Sequence, residues 1–294
     1  MDALSHALIA YILFSATGFI PLVPFAILGA VILDADIFFP AFSDSVPSLY
    51  LFTHGGIAHS IVGAVAMSLL AYLALAIIAI AGIIPGGILI GAGISGYAAI
   101  LTGSFLHLAI DIMACPGLPL LAPVLDRKYT LGILPGPSIL LAAAAVGSIS
   151  LSVLHVMPFW QALMAYAGIA IAYFVVRIAA FLYADTRLPV RKVPSINPFR
   201  WLVIREDNRR YTISTYTFFK GYDTGADFCK CREATARDID DAAKIPEVRR
   251  FLFHSYCVTA ERIGSVLILA DPVREKGYVY YPPKFKRVAI SSER

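Results

Sequence analysis

The chain has 294 residues, 59% hydrophobic and 15% charged, with a formal net charge of +4 and a mean hydropathy of +0.75. Soluble domains carry roughly 25% charged residues, so a single water-soluble globule is excluded. Four cysteines in so apolar a chain also exclude a disulfide scaffold and a disordered one. The charge divides the chain in two: residues 1–184 hold three basic and six acidic side chains, net −3, and residues 185–294 hold 21 basic and 14 acidic, net +7. A membrane part is therefore expected over 1–184, a basic Pro-rich linker over 185–200, and a water-facing domain over 201–294.

The first apolar run, Ala7–Leu33, is broken by Gly18, Pro21 and Pro24. As one straight helix it is longer than the bilayer core needs, so two short helices, at 3–17 and 22–33, are expected as a re-entrant hairpin. Met1-Asp2-Ala3 is acidic where cleavable signal peptides are basic. Four membrane spans follow at Ile61–Gly82, Ile83–Leu106, Ser138–Met157 and Phe159–Tyr183, because about 20 apolar residues cross the ~30 Å hydrocarbon layer. Arg187, Arg191, Lys192 and Arg200 directly after the last span orient the carboxy-terminal domain to the cytoplasm. Counting back brings the 34–60 and 107–137 segments to the same side.

Ionisable groups beside apolar helices are costly and usually functional. Here they are of two types and lie at segment ends: His6 before the first run, Asp34 and Asp36 after it, His54 and His59 before the next, and His107 with Asp111 closing the one after. The i,i+4 spacing of His107 and Asp111 puts both on one helical face. Imidazole and carboxylate without thiolate suit a hydrolytic site holding zinc first, with manganese or iron as alternatives. Seven candidate ligands exceed the needs of one catalytic zinc, so either two ions bind or some of the seven support the others. Asp34 or Asp111, where not needed as a ligand, is the candidate catalytic base. His155, at the opposite end of its span, reads as structural, and Asp44 as a solvated loop residue.

The order of a His near the amino terminus, Asp34-x-Asp36, His54-x-x-x-x-His59-Ser60 and His107-x-x-x-Asp111 resembles the YdjM/YbcI-type membrane-bound metal-dependent hydrolases over residues 1 to about 126. The resemblance implies an integral (inner) membrane protein whose metal ligands serve hydrolysis. Where that family usually has Arg after the first His of the pair and Thr before the second, this chain has Gly55 and Ala58, removing a side chain suited to grip an anion.

In the water-facing half, Trp201–Ile204 and Tyr211–Phe219 are expected as a hairpin, residues 233–256 as helical, and Val266–Ala270 and Tyr278–Tyr281 as short strands. This predicts a small α+β domain, with no phosphate loop or zinc-finger spacing and no specific nucleic-acid partner. It is expected to cover the site's mouth, with Tyr216 and Phe219 facing the 34–60 loop. Cys229, Cys231 and Cys257 are expected as free thiols. The function expected is hydrolysis of a lipid or amphiphilic phosphoester at the lipid–water boundary; the other reading is a non-catalytic membrane protein with a structural or metal-sensing site.

Overall fold

The computed structural model describes residues 2–280 and 283–291, and the chain divides into two compact units. The first comprises Met1–Pro40 and Leu51–Phe181 and is helical throughout. Its helices are α1 (Ala3–Ala16), α2 (Val23–Ile32), α3 (Pro40–Ser43, which runs into the second unit), α4 (Ile61–Ile80), α5 (Gly86–Asp111), α6 (Ile139–Val153) and α7 (Phe159–Arg187, whose last turns belong to the second unit). The stretches Ile20–Ser43, Ile61–Ile80, Gly91–Asp111 and Phe159–Arg187 are long and apolar enough to cross a membrane.

Two of these differ from the sequence reading. The expected span at Ser138–Met157 forms only the 15-residue α6, about 22 Å at 1.5 Å per residue, because a turn begins at Leu154 and His155 adopts φ 56°. Ile20–Ser43 qualifies instead, although it is a composite: α2 ends at Ile32 and a 3-10 turn, Leu33–Phe38, carries Asp34 and Asp36. In α5 the backbone leaves helical geometry at Gly93 (φ 49°), within the stretch Gly91–Asp111.

The α2–α5 contact sets the site. A Cβ on Gly29 would lie 1.8 Å from the Ile100 carbonyl oxygen, and one on Gly103 would lie 2.1 Å from that of Ala26. The two backbones therefore touch, as small residues allow between helices in lipid. Ser104 Oγ donates to the Gly29 carbonyl at 3.0 Å and shares a 2.9 Å hydrogen bond with Ser68. Around this seam Phe25, Ala71, Ala99 and Ile100 form one apolar cluster, while Leu8, Leu141, Leu163 and Tyr166 pack α1 against α6 and α7.

The second unit comprises Ala41–Tyr50 and Leu182–Arg294. It has two sheets. The first runs β1 (Arg191–Pro194), β2 (Arg200–Glu206), β3 (Arg210–Thr217) and β4 (Gly221–Tyr222), with β5 (Ala226–Cys229) also on β3, all antiparallel. The second has the order β6 (Cys231–Arg232), β7 (Thr259–Ile263), β8 (Val266–Ala270) and β9 (Arg287–Ser291), with only β6–β7 parallel. Helix α8 (Ala236–Ala242) packs Ala242, and α9 (Pro246–His254) packs Val248 and Phe251, on Ala260, Leu267 and Leu269 of this sheet. The expected hairpin is β2–β3, and its turn is held by Asp207 accepting from the backbone N–H groups of Arg209 and Arg210 at 2.7 Å.

Residues 185–200 are not a free linker, because α7 continues to Arg187 and Arg191–Pro194 pair with β2. Tyr278–Tyr280 is not a strand and Tyr281 lies outside the described residues; β9 closes the sheet instead. The 41–50 segment is held by α9 and its neighbours rather than by β3. Arg250 Nη1 donates to the carbonyls of Ser43 and Asp44 at 3.2 Å each, Lys284 pairs with Asp44, and the buried Tyr50 ring meets Arg249 and Phe253. Asp44 is thus an anchor rather than a free loop carboxylate.

Beneath β8 and β9, Asp271 and α10 (Pro272–Glu275) hold a buried pair. Arg274 Nε donates to Asp271 Oδ2 at 2.8 Å, and its Nη atoms donate to the carbonyls of Lys284 and Phe285 at 2.8 and 2.7 Å. Removing one partner of such a pair strands the other charge. Arg274→Met should destabilise this domain by about 3–5 kcal/mol, read as faster amide exchange in β8 and β9 of the full-length protein.

Candidate metal centre

Five short segments bring the polar residues together, each for a local reason. Asp2 caps α1, accepting from Ser5 N at 2.9 Å, which places His6 in the first turn. The 3-10 turn after α2 carries Asp34 and Asp36. Gly55 adopts φ +70°, a conformation that favours glycine, and its N–H donates to Asp36 Oδ2 at 3.0 Å. Ser60 caps α4 by accepting from Gly63 N at 2.9 Å and fixes His59 just ahead of that helix. His107 and Asp111 occupy the last turns of α5.

The centre is built on two facing imidazole nitrogens with carboxylate oxygens beside them. His59 Nε2 and His107 Nε2 face each other at 3.1 Å. Asp34 Oδ1 lies 3.7 Å from both, and Asp111 Oδ2 lies 3.4 Å from His107 Nε2 and 3.9 Å from His59 Nε2. Zinc bonds of about 2.0–2.1 Å in a tetrahedron separate neighbouring ligand atoms by roughly 3.3–3.4 Å, so these separations suit donors arranged around one ion. The far sides of both rings are engaged. His107 Nδ1 donates to the Ala30 carbonyl at 2.7 Å, and His59 Nδ1 lies 2.9 Å from Asp36 Oδ2, close though not aligned as a full hydrogen bond. Such backing leaves each Nε2 lone pair for a cation.

The seven candidates thus divide by position. Asp34, His59, His107 and Asp111 point at the common centre. Asp36, fully buried, stands behind His59 and also binds His54 Nδ1 at 2.6 Å; the His54 side chain is 38% exposed. His6 stacks on His107 with ring centroids 3.8 Å apart, its Nε2 3.2 Å from Asp111 Oδ1. Two overlapping groups can hold a metal, Asp34–His59–His107 and His6–His107–Asp111. Both draw on the one outward nitrogen of His107, so a second ion would rely on His6 and Asp111. His155 joins neither group.

The family match falls on this region. Residues 1–184 match the family described as YdjM inner membrane protein. The chain belongs to that family. The YdjM match contains all seven candidate residues, runs past the expected limit near 126, and ends within α7, so the sheet domain lies outside it. No curated protein and no solved structure matches the chain. Gly55 supplies its backbone N–H to Asp36 Oδ2.

Sequence reasoning missed Gly29, Gly103, Ser68 and Ser104. They look like ordinary small residues of membrane helices, and only a helical-wheel pairing of α2 with α5 would have singled them out. The placement of Asp36 behind His59 yields a test. Asp36→Ala should weaken zinc binding about 10–100-fold without removing a converging donor, as measured by competition titration in detergent.

Proposed function

We propose that this chain is a membrane-embedded, metal-dependent hydrolase acting at the lipid–water boundary on a lipid or amphiphilic phosphoester. One observation carries the reading: the His59 and His107 Nε2 atoms face each other at 3.1 Å, and each lies 3.4–3.9 Å from carboxylate oxygens of Asp34 and Asp111. A zinc-class ion bound there supplies Lewis acidity and an activated water with pKa near ~7.

The side chains take distinct roles. His59, His107 and Asp111 bind, with Asp111 engaged through Oδ1 to His6 and Oδ2 to His107. Asp34 turns Oδ1 to the centre, while its Oδ2 is buried without a hydrogen-bond partner among the described residues. That oxygen is the general base, receiving the proton of the attacking water. His54, exposed and backed by Asp36, is suited to return a proton to the leaving group. The topology proposed is a re-entrant α1–α2 hairpin, since α2 itself ends at Ile32 and Ile20–Ser43 reaches span length only through the 3-10 turn and α3. The carboxy-terminal domain is cytoplasmic on the strength of the basic residues after α7.

The test uses detergent-purified protein loaded with zinc, assayed on a chromogenic phosphodiester and on phospholipids. Asp34→Asn, with metal content read alongside, should lower turnover by about 100-fold or more. Stoichiometric metal carrying no exchangeable water, together with no turnover of any phosphoester, would replace this reading with a structural or sensing site.

A further inference from the structure

The end of the last span and two turns of the first sheet form an apolar tip that no catalytic reading uses. The β1–β2 turn and the β3–β4 turn lie side by side, with Phe218 N donating to the Phe199 carbonyl at 3.0 Å. The Phe199 ring lies 5.7 Å from Phe218 and 5.9 Å from Phe219. Phe218 in turn packs on Tyr183, centroids 4.4 Å apart, in the last turns of α7. Phe219 is 84% exposed, and Phe199, Tyr183 and Leu182 are exposed as well. Leaving such rings in water costs free energy that burying them recovers.

The residues that flank the two exposed phenylalanines carry one sign of charge, while Asp185 on α7 is paired with Lys192. Arg200 and Lys220 follow the two exposed phenylalanines directly, both exposed, and Arg187 lies over the Tyr183 ring at 5.6 Å. No Asp or Glu occurs in residues 195–200 or 217–221. Aromatic side chains flanked by Lys and Arg are the pattern of a membrane–water interface, and basic groups there are drawn to anionic headgroups.

We infer that the tip formed by Phe199, Phe219 and Tyr183, rimmed by Arg187, Arg200 and Lys220, inserts into the anionic lipid surface of the leaflet from which α7 emerges. The occupant is fixed by continuity: Tyr183 belongs to a stretch long and apolar enough to cross the membrane, and it packs directly on the turn that ends in Phe219. This membrane contact is independent of any metal.

The experiment uses the full chain in lipid nanodiscs. Trp160→Phe removes the exposed tryptophan at the start of α7, and the buried Trp201 serves as internal reference. Phe219→Trp then reports the tip. In phosphatidylcholine–phosphatidylglycerol discs, lipids brominated near the headgroup should quench it about twofold, and aqueous iodide should not. Adding Arg200→Glu and Lys220→Glu should reverse both results. Iodide quenching without bromine quenching would overturn the proposal and mark the tip as water-facing or reserved for a protein. Equal bromine quenching with and without phosphatidylglycerol would overturn its anionic assignment.

Discussion

His107→Ala should strip the protein of stoichiometric metal, and His59→Ala should do the same. Each contributes an Nε2 atom to the converging set, at 3.1 Å from the other, and no neighbouring side chain replaces it. A lost ligand costs more than a lost supporting group, so affinity should fall by well over 100-fold. Elemental analysis of wild type beside the two variants, after detergent purification and zinc reloading, reads this directly. Binding should also release protons. Burial disfavours the His59 cation, but the carboxylates of Asp34, Asp36 and Asp111 close to its ring outweigh that, so its pKa is pushed up to about 9. Below that pH the metal-free ring carries a proton that zinc must displace. Zinc affinity should therefore rise with pH up to about 9 and weaken as pH falls, and a pH-independent affinity would contradict this assignment of the ligand.

The second large effect is steric. Gly103→Val puts a branched side chain where even a Cβ lies 2.1 Å from the Ala26 carbonyl oxygen, and Gly29→Val does the same at 1.8 Å from that of Ile100. Helices α2 and α5 must separate, breaking the Ser104–Gly29 hydrogen bond and pulling the Ala30 carbonyl from His107. Overpacking together with lost hydrogen bonds predicts destabilisation by about 3 kcal/mol or more, with loss of metal. Gly168, in α7, has nothing within 4 Å of an added Cβ, so Gly168→Val is the control. Thermal unfolding in detergent should separate the three. A Gly103→Val protein that melts like wild type and keeps its metal would show that the seam yields without cost.

Composition made the membrane half legible, because an uncharged apolar run of span length has few other uses. The seven polar residues stood out for the same reason: each interrupts a background with almost no other ionisable groups. Their ranking was not legible. Asp34 and Asp36 are two residues apart on a short turn, and only the position of His59 turns one toward the centre and sets the other behind the ring. The extent of α6 escaped because apolar composition continues past Leu154 while the backbone turns. In the second unit, β2, β3 and β8 announced themselves by alternation or apolar runs. Arg191–Pro194 looked like linker because it becomes a strand only through β2, and β9, with only Val288, Ala289 and Ile290 apolar, was too short a run to stand out without its partner.

The grip on residues 41–50 bears on how the centre assembles. His54 and Asp36 meet at 2.6 Å, yet the chain between them makes a long excursion whose closure carries an entropic cost. That cost grows with the logarithm of loop length, about 0.6 kcal/mol per doubling. The middle of that excursion is not left free, because Ser43, Asp44 and Tyr50 are fixed on α9 and the 284–285 turn. The order of residues 41–50, which lie within the family match, is thereby supplied by the sheet domain, which lies outside it.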